Sequence, residues 1–560
     1  MNENVAGIAA ALRKRGHHVT VLAPSNRAAD LRAGRRTLAR EEDADLIALG
    51  PAVPVTRRSK LGLPVGVRAN LALALVEGRF DLVHGFEPGL PSLSYLALRD
   101  TRALTVASFL SAERVSYTPA RARRERLLAR TDALLATSTE IVEAARERFP
   151  GDYRLLPEGV DTDLFHPGEK RRLIAVEWRS PERAMARSLI HALRELDGWE
   201  LLLVRTKPLA GRPSVPRDLR DRVRVRTARD PAIRARLLAE AAVFVPAPGG
   251  LARLRLEAEA CGAAIADPPA LAEQPQLAAA AAARLAGNEG ARTELQAQAR
   301  MRAEKQSFAL VARELDGIYR DLCKRRRAPR RQSVDPLVGR EQILCDLHMH
   351  TSWSPDCSIE VDDLLAHAEE IGLGAIAVTD HNIFAGAKEA VERAGGRELI
   401  VIPGEEIKTD GQGEVIGLFL EREIPRGLSF ADTVAAIHDQ GGLVYVPHPF
   451  DRLHSIPDAA TLRRNLAEID VFEVYNARLV FETFNDEALR FARKYNLTMG
   501  AGSDSHVLQG LATGCVRMRR FEGPEEFLIS LHRAEIVRRP KSLVYLQSLK
   551  WAAQVKERAR

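Results

Sequence analysis

The chain has 560 residues, a length that suits three or four domains of ordinary size. Its 82 basic and 75 acidic side chains leave a formal net charge of +7, which suits anionic ligands but does not by itself indicate a nucleic-acid-binding protein. The five cysteines lack pairing spacing and no apolar run reaches membrane length, so we expect a cytoplasmic protein without a membrane span.

The first 320 residues alternate predicted helices with short apolar strands. A helix is predicted at 6–16, and strands at 18–23, 81–84, 133–138, 154–161, 173–176, 199–204, 223–225 and 242–246. This alternation predicts two doubly wound α/β halves, residues 1–165 and 166–320, which meet near Phe165-His166-Pro167.

Three segments in this region resemble a retaining glycosyltransferase of the GT-B fold, similar to family 4. They are 15–24 (RGHHVTVLAP), 157–161 (PEGVD) with 165–167 (FHP), and 256–262 (LEAEACG). The resemblance implies a nucleotide-sugar site in which Glu257 binds the donor ribose. Arg179 and Arg183 would stand where the family grips the donor diphosphate.

The same region departs from the family at positions that carry its reaction. Gly249 stands where the first of two glutamates is expected, and Leu110 stands where a histidine is common. The sequence also begins inside the first helix, so the first strand is missing. We expect either that Met1 is an internal methionine or that the domain is a former enzyme that kept its fold for binding. We rank nucleotide or glycan binding above catalysis as the function of this domain.

A basic stretch separates this region from the rest of the chain. Residues 321–339 include the run KRRRAPRR and are predicted to be a solvated linker rather than a nucleic-acid or membrane contact. Residues 541–560 are predicted to be a basic C-terminal tail, which leaves 340–540 as one further domain.

Six segments of this last domain end in residue types that bind metals. They are 344–350 (LCDLHMH), 374–381 (GAIAVTDH), 399–406 (LIVIPGEE), 442–449 (GLVYVPHP), 471–476 (VFEVYN) and 497–506 (LTMGAGSDSH). In the first, strand alternation directs Asp346, His348 and His350 to one face. Amphipathic stretches between the segments predict a (β/α) barrel, whose chemistry collects at the C-terminal ends of its strands.

These motifs, in this order, resemble the polymerase and histidinol phosphatase (PHP) superfamily. The resemblance implies a distorted (β/α)7 barrel that hydrolyses phosphate esters with two or three divalent ions, and histidines beside carboxylates suit Mn, Zn or Fe. The implied ligands are His348, His350, Asp356, His381, Glu406, His448, Asn476, Asp504 and His506.

Three positions of the motif set stay open. The family frame selects Glu406 over its neighbour Glu405, which strand alternation places on the opposite face. Glu414 stands where many relatives have a histidine, so it either ligates through oxygen or is solvated. Either Glu473 or Asn476 faces the site, because an odd separation puts them on opposite faces, and the resemblance favours Asn476.

The expected reaction is attack of metal-activated water on a phosphomonoester or phosphodiester. Asp380 is predicted to orient His381 or to accept a proton, and Lys408 and Arg452 are predicted to bind the phosphate. Expected substrates are phosphorylated small molecules or short nucleic acids. Two alternatives remain open: an active glycosyltransferase with an accessory PHP domain, and a non-catalytic sensor.

Overall fold

A computed structural model describes residues 2–39, 44–54, 62–64, 66–89, 92–115, 120–179, 182–206, 213–248, 252–269, 271, 274–328, 335–453, 456–542, 544–545 and 547–548. Gly249, part of the predicted linker and most of the predicted tail lie outside the described residues. Within these ranges, no helix combines the length and the apolar character that a membrane crossing requires.

The first half is built from short parallel strands with helices between them. Its elements are α1 (Asn2–Lys14), β1 (Val21–Ala23), α2 (Ala28–Leu38), β2 (Leu46–Ala48), β3 (Ala52–Pro54), β4 (Gly62–Pro64), α3 (Arg68–Glu77), β5 (Leu82–Phe86), α4 (Leu93–Asp100), β6 (Leu104–Phe109), α5 (Ala112–Val115), α6 (Arg121–Arg130), β7 (Ala133–Ala136), α7 (Thr139–Arg148) and β8 (Tyr153–Leu155). Strands β5 to β8 form a parallel sheet, beside the smaller pairs β1–β2 and β3–β4.

The second half is a single parallel sheet in the order β11-β10-β9-β12-β13. Its elements are β9 (Arg171–Glu177), α8 (Arg183–Ala192), β10 (Glu200–Arg205), β11 (Val223–Thr227), α9 (Pro231–Ala239), β12 (Ala241–Val245), α10 (Ala252–Ala260), β13 (Ala264–Ile265), α11 (Leu277–Gly287), α12 (Glu289–Glu304) and α13 (Phe308–Lys324). The interior strand β12 is fully buried, as a continuous apolar run in a parallel sheet requires. These two halves confirm the predicted GT-B-like α/β architecture.

Helix α13 returns from the second half to pack against α1 of the first. Ser307 caps its N-terminus, and Val311, Leu315, Ile318 and Leu322 recur at helical spacing and are buried, each contributing on the order of 2 kcal/mol. The helix therefore continues four residues into the segment predicted to be linker. Beyond it, the backbone N–H of Arg327 donates to the Tyr495 carbonyl of the last domain.

The last domain is a mixed sheet in the order β20-β19-β18-β17-β16-β15-β14-β21-β22. Its elements are β14 (Gln342–Met349), α14 (Val361–Glu370), β15 (Ala375–Val378), α15 (Ala385–Arg393), β16 (Ile400–Lys408), β17 (Glu414–Leu418), α16 (Phe430–His438), β18 (Leu443–Val446), α17 (Ala459–Arg464), β19 (Val471–Asn476), α18 (Glu482–Tyr495), β20 (Thr498–Gly502), β21 (Gly514–Arg519), α19 (Gly523–Leu531) and β22 (Glu535–Arg538).

Seven of these strands, β14 to β20, curl into a near-closed barrel. A parallel bridge between Met349 and Ser505 joins its first and last members. Only β17 runs antiparallel to its neighbours, so the other six strands point the same way. Those six are the segments predicted from the sequence, and their C-terminal ends meet at one mouth.

His84 is a partly buried polar group of the first half. Its ring nitrogens lie 2.7 Å from the Tyr319 hydroxyl of α13 and 2.7 Å from the Ser108 hydroxyl of β6. Burial lowers the pKa of His84 to about 3.

We expect His84 to make the protein acid-sensitive. Because its pKa is depressed on folding, stability present above about pH 6.5 is lost as pH falls toward 3, by roughly 2 kcal/mol at pH 5. Thermal denaturation of wild type and His84→Gln at pH 7.5 and pH 5 measures this loss. An equal loss in both proteins would contradict the assignment.

Candidate metal centre

Glu406 lies at the centre of the barrel mouth, where it meets four histidines from three segments. Its carboxylate oxygens lie 3.3 Å from His348 Nε2, 3.5 Å from His350 Nε2, 3.0 Å from His381 Nδ1 and 3.0 Å from His448 Nε2. All but His381 are almost completely buried. A carboxylate is buried at this depth only when cations or hydrogen bonds compensate for lost hydration.

Asp504 forms a second carboxylate centre beside the first. Its Oδ1 lies 3.5 Å from His350 Nε2, 3.6 Å from His506 Nδ1 and 3.9 Å from His348 Nε2. Asp356 adds an oxygen 3.0 Å from His506 Nε2 and another 3.8 Å from His381 Nε2. The structure thus brings together these eight predicted ligands, and the ninth, Asn476, contacts Asp504.

Four overlapping groups of these side chains could each hold an ion, with all candidate ligand atoms of a group within 4.8 Å of one another. They are His350-His381-His506, His348-His448-Asp504, His348-His350-Glu406 and Glu406-Glu414-His448. The last group includes Glu414, so the structure places this residue beside the site, 3.9 Å from His448 Nε2.

Strained backbone presents two of the ligands. His448 has φ +25° and Asp504 has φ +51°, in the left-handed region that non-glycine residues rarely occupy. Both residues follow the end of a strand, where the chain turns sharply to direct a side chain into the mouth. Such strain persists only where the surrounding contacts hold it.

The tautomer of His350 shows that the site fits a cation. Ser354 donates its single hydroxyl proton to Asp380 Oδ1 at 2.6 Å, so it accepts from His350 Nδ1 at 3.2 Å. The neutral ring then directs its Nε2 lone pair at the Glu406 and Asp504 oxygens, 3.5 Å away. This buried nitrogen has no hydrogen-bond partner among the described residues. Nitrogen and oxygen ligand atoms that face one another with no proton between them are the set that Zn, Mn or Fe binds.

Electrostatics divide the ligands into two kinds. Burial alone would raise the pKa of Glu406, but His348 and His381 hold it well below its usual range, and Arg478 and His348 do the same for Asp504. Burial and two neighbouring imidazoles lower the pKa of His350. Two ionised carboxylates therefore face a neutral His350.

Asp380 lies under the site rather than in it. It is completely buried and accepts from the backbone N–H and the hydroxyl of Thr351, at 2.7 and 2.6 Å, as well as from Ser354. The loop that follows β14 is therefore anchored by Asp380, and the His350 tautomer is set through Ser354.

Asp346 does not face the ion site, contrary to the alternation argument. A register irregularity between Asp346 and Met349 interrupts strand β14. The Asp346 carboxylate instead accepts from the backbone N–H of Ser503 at 2.9 Å and of Ala512 at 3.0 Å. It ties the loop that carries Asp504 to the first strand.

Glu473 and Asn476 both reach the site, so the expectation that only one would do so was wrong. A register irregularity between Glu473 and Tyr475 changes the alternation of β19. Glu473 accepts from His348 Nδ1 at 3.2 Å and from the Tyr445 hydroxyl at 2.8 Å. The Asn476 side-chain amide donates to Glu473 at 3.0 Å and to Asp504 at 3.3 Å, which makes it a support of ligands in this geometry.

The remaining predicted residues lie at the rim. Lys408 is exposed at the end of β16, two residues after Glu406 and so on the same strand face. The Arg452 guanidinium lies 3.7 Å from Glu125 of α6. Glu405 points away from the mouth and accepts from the Ile424 N–H at 2.9 Å, in agreement with the choice of Glu406.

Arg478 was missed by sequence reasoning. Its Nη1 lies 3.1 Å from Asp504 Oδ1 and 3.2 Å from His506 Nδ1, and the side chain is 30% exposed. The available signal was its place two residues after Asn476, in the loop after a strand that ends at the site.

The predicted nucleotide-sugar residues lie in the second half. Both oxygens of the buried Glu257 accept from Arg234, at 2.6 and 2.7 Å, and Arg234 also pairs with Glu3. Arg179 lies 3.4 Å from Glu182, whereas Arg183 is exposed at the start of α8. A cavity of about 210 Å³ lined by Glu3, Asp161, Arg253, Glu257 and Phe308 adjoins this network.

We expect Gly502→Ala to disrupt the metal centre. An added Cβ would lie 2.3 Å from the His348 Cβ and 2.9 Å from Glu473 Oε1, so β14 and β20 must separate at a cost of roughly 1–3 kcal/mol. Gly339→Ala is the control, because a Cβ there meets nothing within 4 Å. Melting temperature and zinc stoichiometry are measured, and an unchanged Gly502→Ala protein would contradict the packing.

Comparisons with known proteins match this architecture. The Glycosyltransferase Family 4 model matches residues 2–164, the PHP domain model 346–470 and the PHP-associated model 482–536. The uncharacterized protein MJ0417 of Methanocaldococcus jannaschii is 34% identical over 194 residues, which cover 33% of this chain and 76% of that protein.

Two further similarities concern glycosyltransferases. A phosphatidyl-myo-inositol mannosyltransferase of Propionibacterium freudenreichii is 30% identical over 150 residues, covering 26% of this chain and only 38% of that enzyme. The crystal structure of WaaG, a glycosyltransferase involved in lipopolysaccharide biosynthesis, is 16% identical with a TM-score of 0.34, covering 57% of this chain and 95% of WaaG. The chain belongs to two families: it carries an N-terminal glycosyltransferase family 4 (GT4) domain and a C-terminal PHP domain with its PHP-associated segment.

Proposed function

We propose that the PHP domain hydrolyses phosphate esters with two or three divalent ions, Mn, Zn or Fe. The ions would be held by His348, His350, Asp356, His381, Glu406, His448, Asp504 and His506, with Glu414 as a further oxygen donor. Eight such donors exceed the four that a single tetrahedral ion takes. The observation that carries the proposal is the buried Nε2 of His350, which faces the Glu406 and Asp504 carboxylates without a hydrogen-bond partner among the described residues.

Divalent ions in such a site neutralise phosphate charge and lower the pKa of water toward neutrality, so no protein nucleophile is needed. The chain's own residues supply the rest of the chemistry. Arg478, beside Asp504 and His506, is placed to bind a phosphate oxygen, and Lys408 is a second candidate at the rim. Asp380, through Ser354, holds His350 in the tautomer that leaves Nε2 unprotonated.

Nucleotide-sugar binding by the GT4 domain is a separate proposal with weaker support. Glu257, the residue expected to bind the ribose, already has both oxygens bonded to Arg234. A ribose would have to displace a bidentate guanidinium, which is among the strongest side-chain pairings. The structure therefore favours the phosphoesterase as the activity to test first.

We expect His350→Ala to lose bound metal and to lower phosphate-ester hydrolysis by at least roughly 100-fold, because a direct ligand matters no less than its supporting residues. Elemental analysis and hydrolysis of a panel of phosphomonoesters, bisphosphates and short RNA with added Mn²⁺ or Zn²⁺ measure both effects.

His367→Ala is the matched control, since His367 lies on the surface helix α14 and pairs with Glu370. A wild-type protein without bound metal, and without activity when metal is added, would overturn the proposal. So would a His350→Ala protein that behaves like the control.

We expect Arg478→Met to raise KM about 10- to 100-fold, because a charge-assisted bond to phosphate is worth roughly 1.5–3 kcal/mol. Arg478→Lys keeps the charge but loses the planar fork, so its KM should lie between the two. Steady-state kinetics on the best ester of the panel measure the series. An unchanged KM in Arg478→Met would remove Arg478 from the substrate contacts.

A further inference from the structure

A stripe of helix α18 packs the PHP domain against the first half of the GT4 domain. Glu487, Arg490, Phe491, Lys494 and Tyr495 recur at helical spacing and line the contact together with Leu98, Thr101, Ala129 and Arg130. The space left between the two surfaces is only about 20 Å³, enough for roughly one water molecule. The contact is therefore packed rather than a groove for a ligand.

A buried ion pair lies at the centre of this contact. Lys494 Nζ is 2.5 Å from Asp132 Oδ2 and also donates to the Arg130 carbonyl at 2.7 Å. The Tyr495 hydroxyl donates to the other oxygen of Asp132. Asp132 and Lys494 expose 1% and 8% of their side chains. A charge buried at this depth without its partner is strongly destabilising.

Four further polar contacts surround the ion pair. Arg130 pairs with Glu487, and Arg490 donates to the carbonyls of Arg99 and Thr101 at 2.9 and 3.1 Å. Arg463 of α17 donates to the Ala129 carbonyl at 3.0 Å. One apolar cluster continues through the contact, with Leu104 and Leu135 from the GT4 side and Phe491 and Tyr495 from the PHP side.

Two short routes of neighbouring residues connect this contact to the metal centre. Asn485, at the other end of α18, is buried and brackets the Asn476 backbone, accepting from its N–H at 3.0 Å and donating to its carbonyl at 3.2 Å. The Asn476 side chain in turn contacts Asp504 and Glu473.

The second route is the turn after β18. Phe450, two residues after His448, lines the contact and packs against Phe491 with ring centroids 5.6 Å apart. Phe450 therefore connects the turn that carries the strained His448 to the GT4 contact.

We propose that the first half of the GT4 domain is a docking platform that positions the PHP metal centre, with the buried pair Asp132–Lys494 at the centre of the contact. Asn485 and Phe450 are the positioning residues that carry the docked geometry to Asn476 and His448. The GT4 domain then has a positioning role in this chain, in addition to any sugar binding that it retains. The inference concerns the proposed phosphoesterase site, but its main test does not depend on activity.

Hydrogen–deuterium exchange of the full chain tests the platform directly. Lys494→Met should speed exchange at least about 10-fold both at the contact, in residues 131–136 and 490–496, and at the strand ends, in residues 471–476 and 503–506. Asp132→Asn combined with Lys494→Met removes both charges and should return exchange to within about 3-fold of wild type, because the unpaired buried charge is gone.

Two further variants separate the steps. Asn485→Ala should speed exchange at 471–476 and leave 131–136 unchanged, since it removes the hydrogen bonds to the Asn476 backbone but not the contact between the domains. Lys388→Met, on the exposed surface of α15, should change neither region. Where wild type hydrolyses an ester, kcat should fall at least about 10-fold in Lys494→Met and Asn485→Ala, with KM within about 3-fold.

Faster exchange at the contact with unchanged strand ends in Lys494→Met would overturn the proposal, as would unchanged exchange at both. A wild type that hydrolyses no ester defeats the proposed function alone, because the exchange pattern still decides whether docking positions the strand ends.

Discussion

The Glu406 carboxylate, buried among four imidazoles that come from three strand segments, is the constraint on which the PHP domain depends. A lone carboxylate at this depth would be protonated or would unfold its surroundings. The barrel must therefore keep these three segments in register so that the imidazoles surround the carboxylate. The strained backbone at His448 and Asp504 and the close approach at Gly502 are consequences of this requirement.

The layer beneath the ligands explains how the centre stays ordered. Asp346, Asp380 and Glu473 are each buried, and each ends its hydrogen bonds on backbone N–H groups, hydroxyls or ring nitrogens rather than on solvent. Asp380 sets the orientation of His350 through Ser354. Glu473 orients His348 directly. Carboxylates that orient ligating imidazoles are the usual means by which a protein tunes an ion site.

Much of the fold and of the ligand set could be predicted, because both depend on local patterns. Apolar runs ending in Asp-His or His-Pro are readable in one segment at a time, and all six such strands are present. Register irregularities are not readable in this way, so the faces of Asp346 and Glu473 were misjudged.

The docking contact was hidden from the sequence for a different reason. Lys494, in the last turn of an amphipathic helix, has the usual pattern of a solvated helix end. Only the tertiary structure shows that Asp132 of another domain covers it. Arg478 likewise becomes a site residue only when the loop after β19 folds over Asp504.

Family boundaries and cooperative units do not coincide in this chain. One apolar cluster contains Leu104 and Leu135 of the GT4 domain together with part of the PHP core, whereas the sheet of the second GT4 half lies in other clusters. Two tryptophans, Trp178 and Trp199, are buried in that separate core. The fluorescence of these two tryptophans, followed beside a calorimetric scan, would tell whether this core melts apart from the cluster that both domains share.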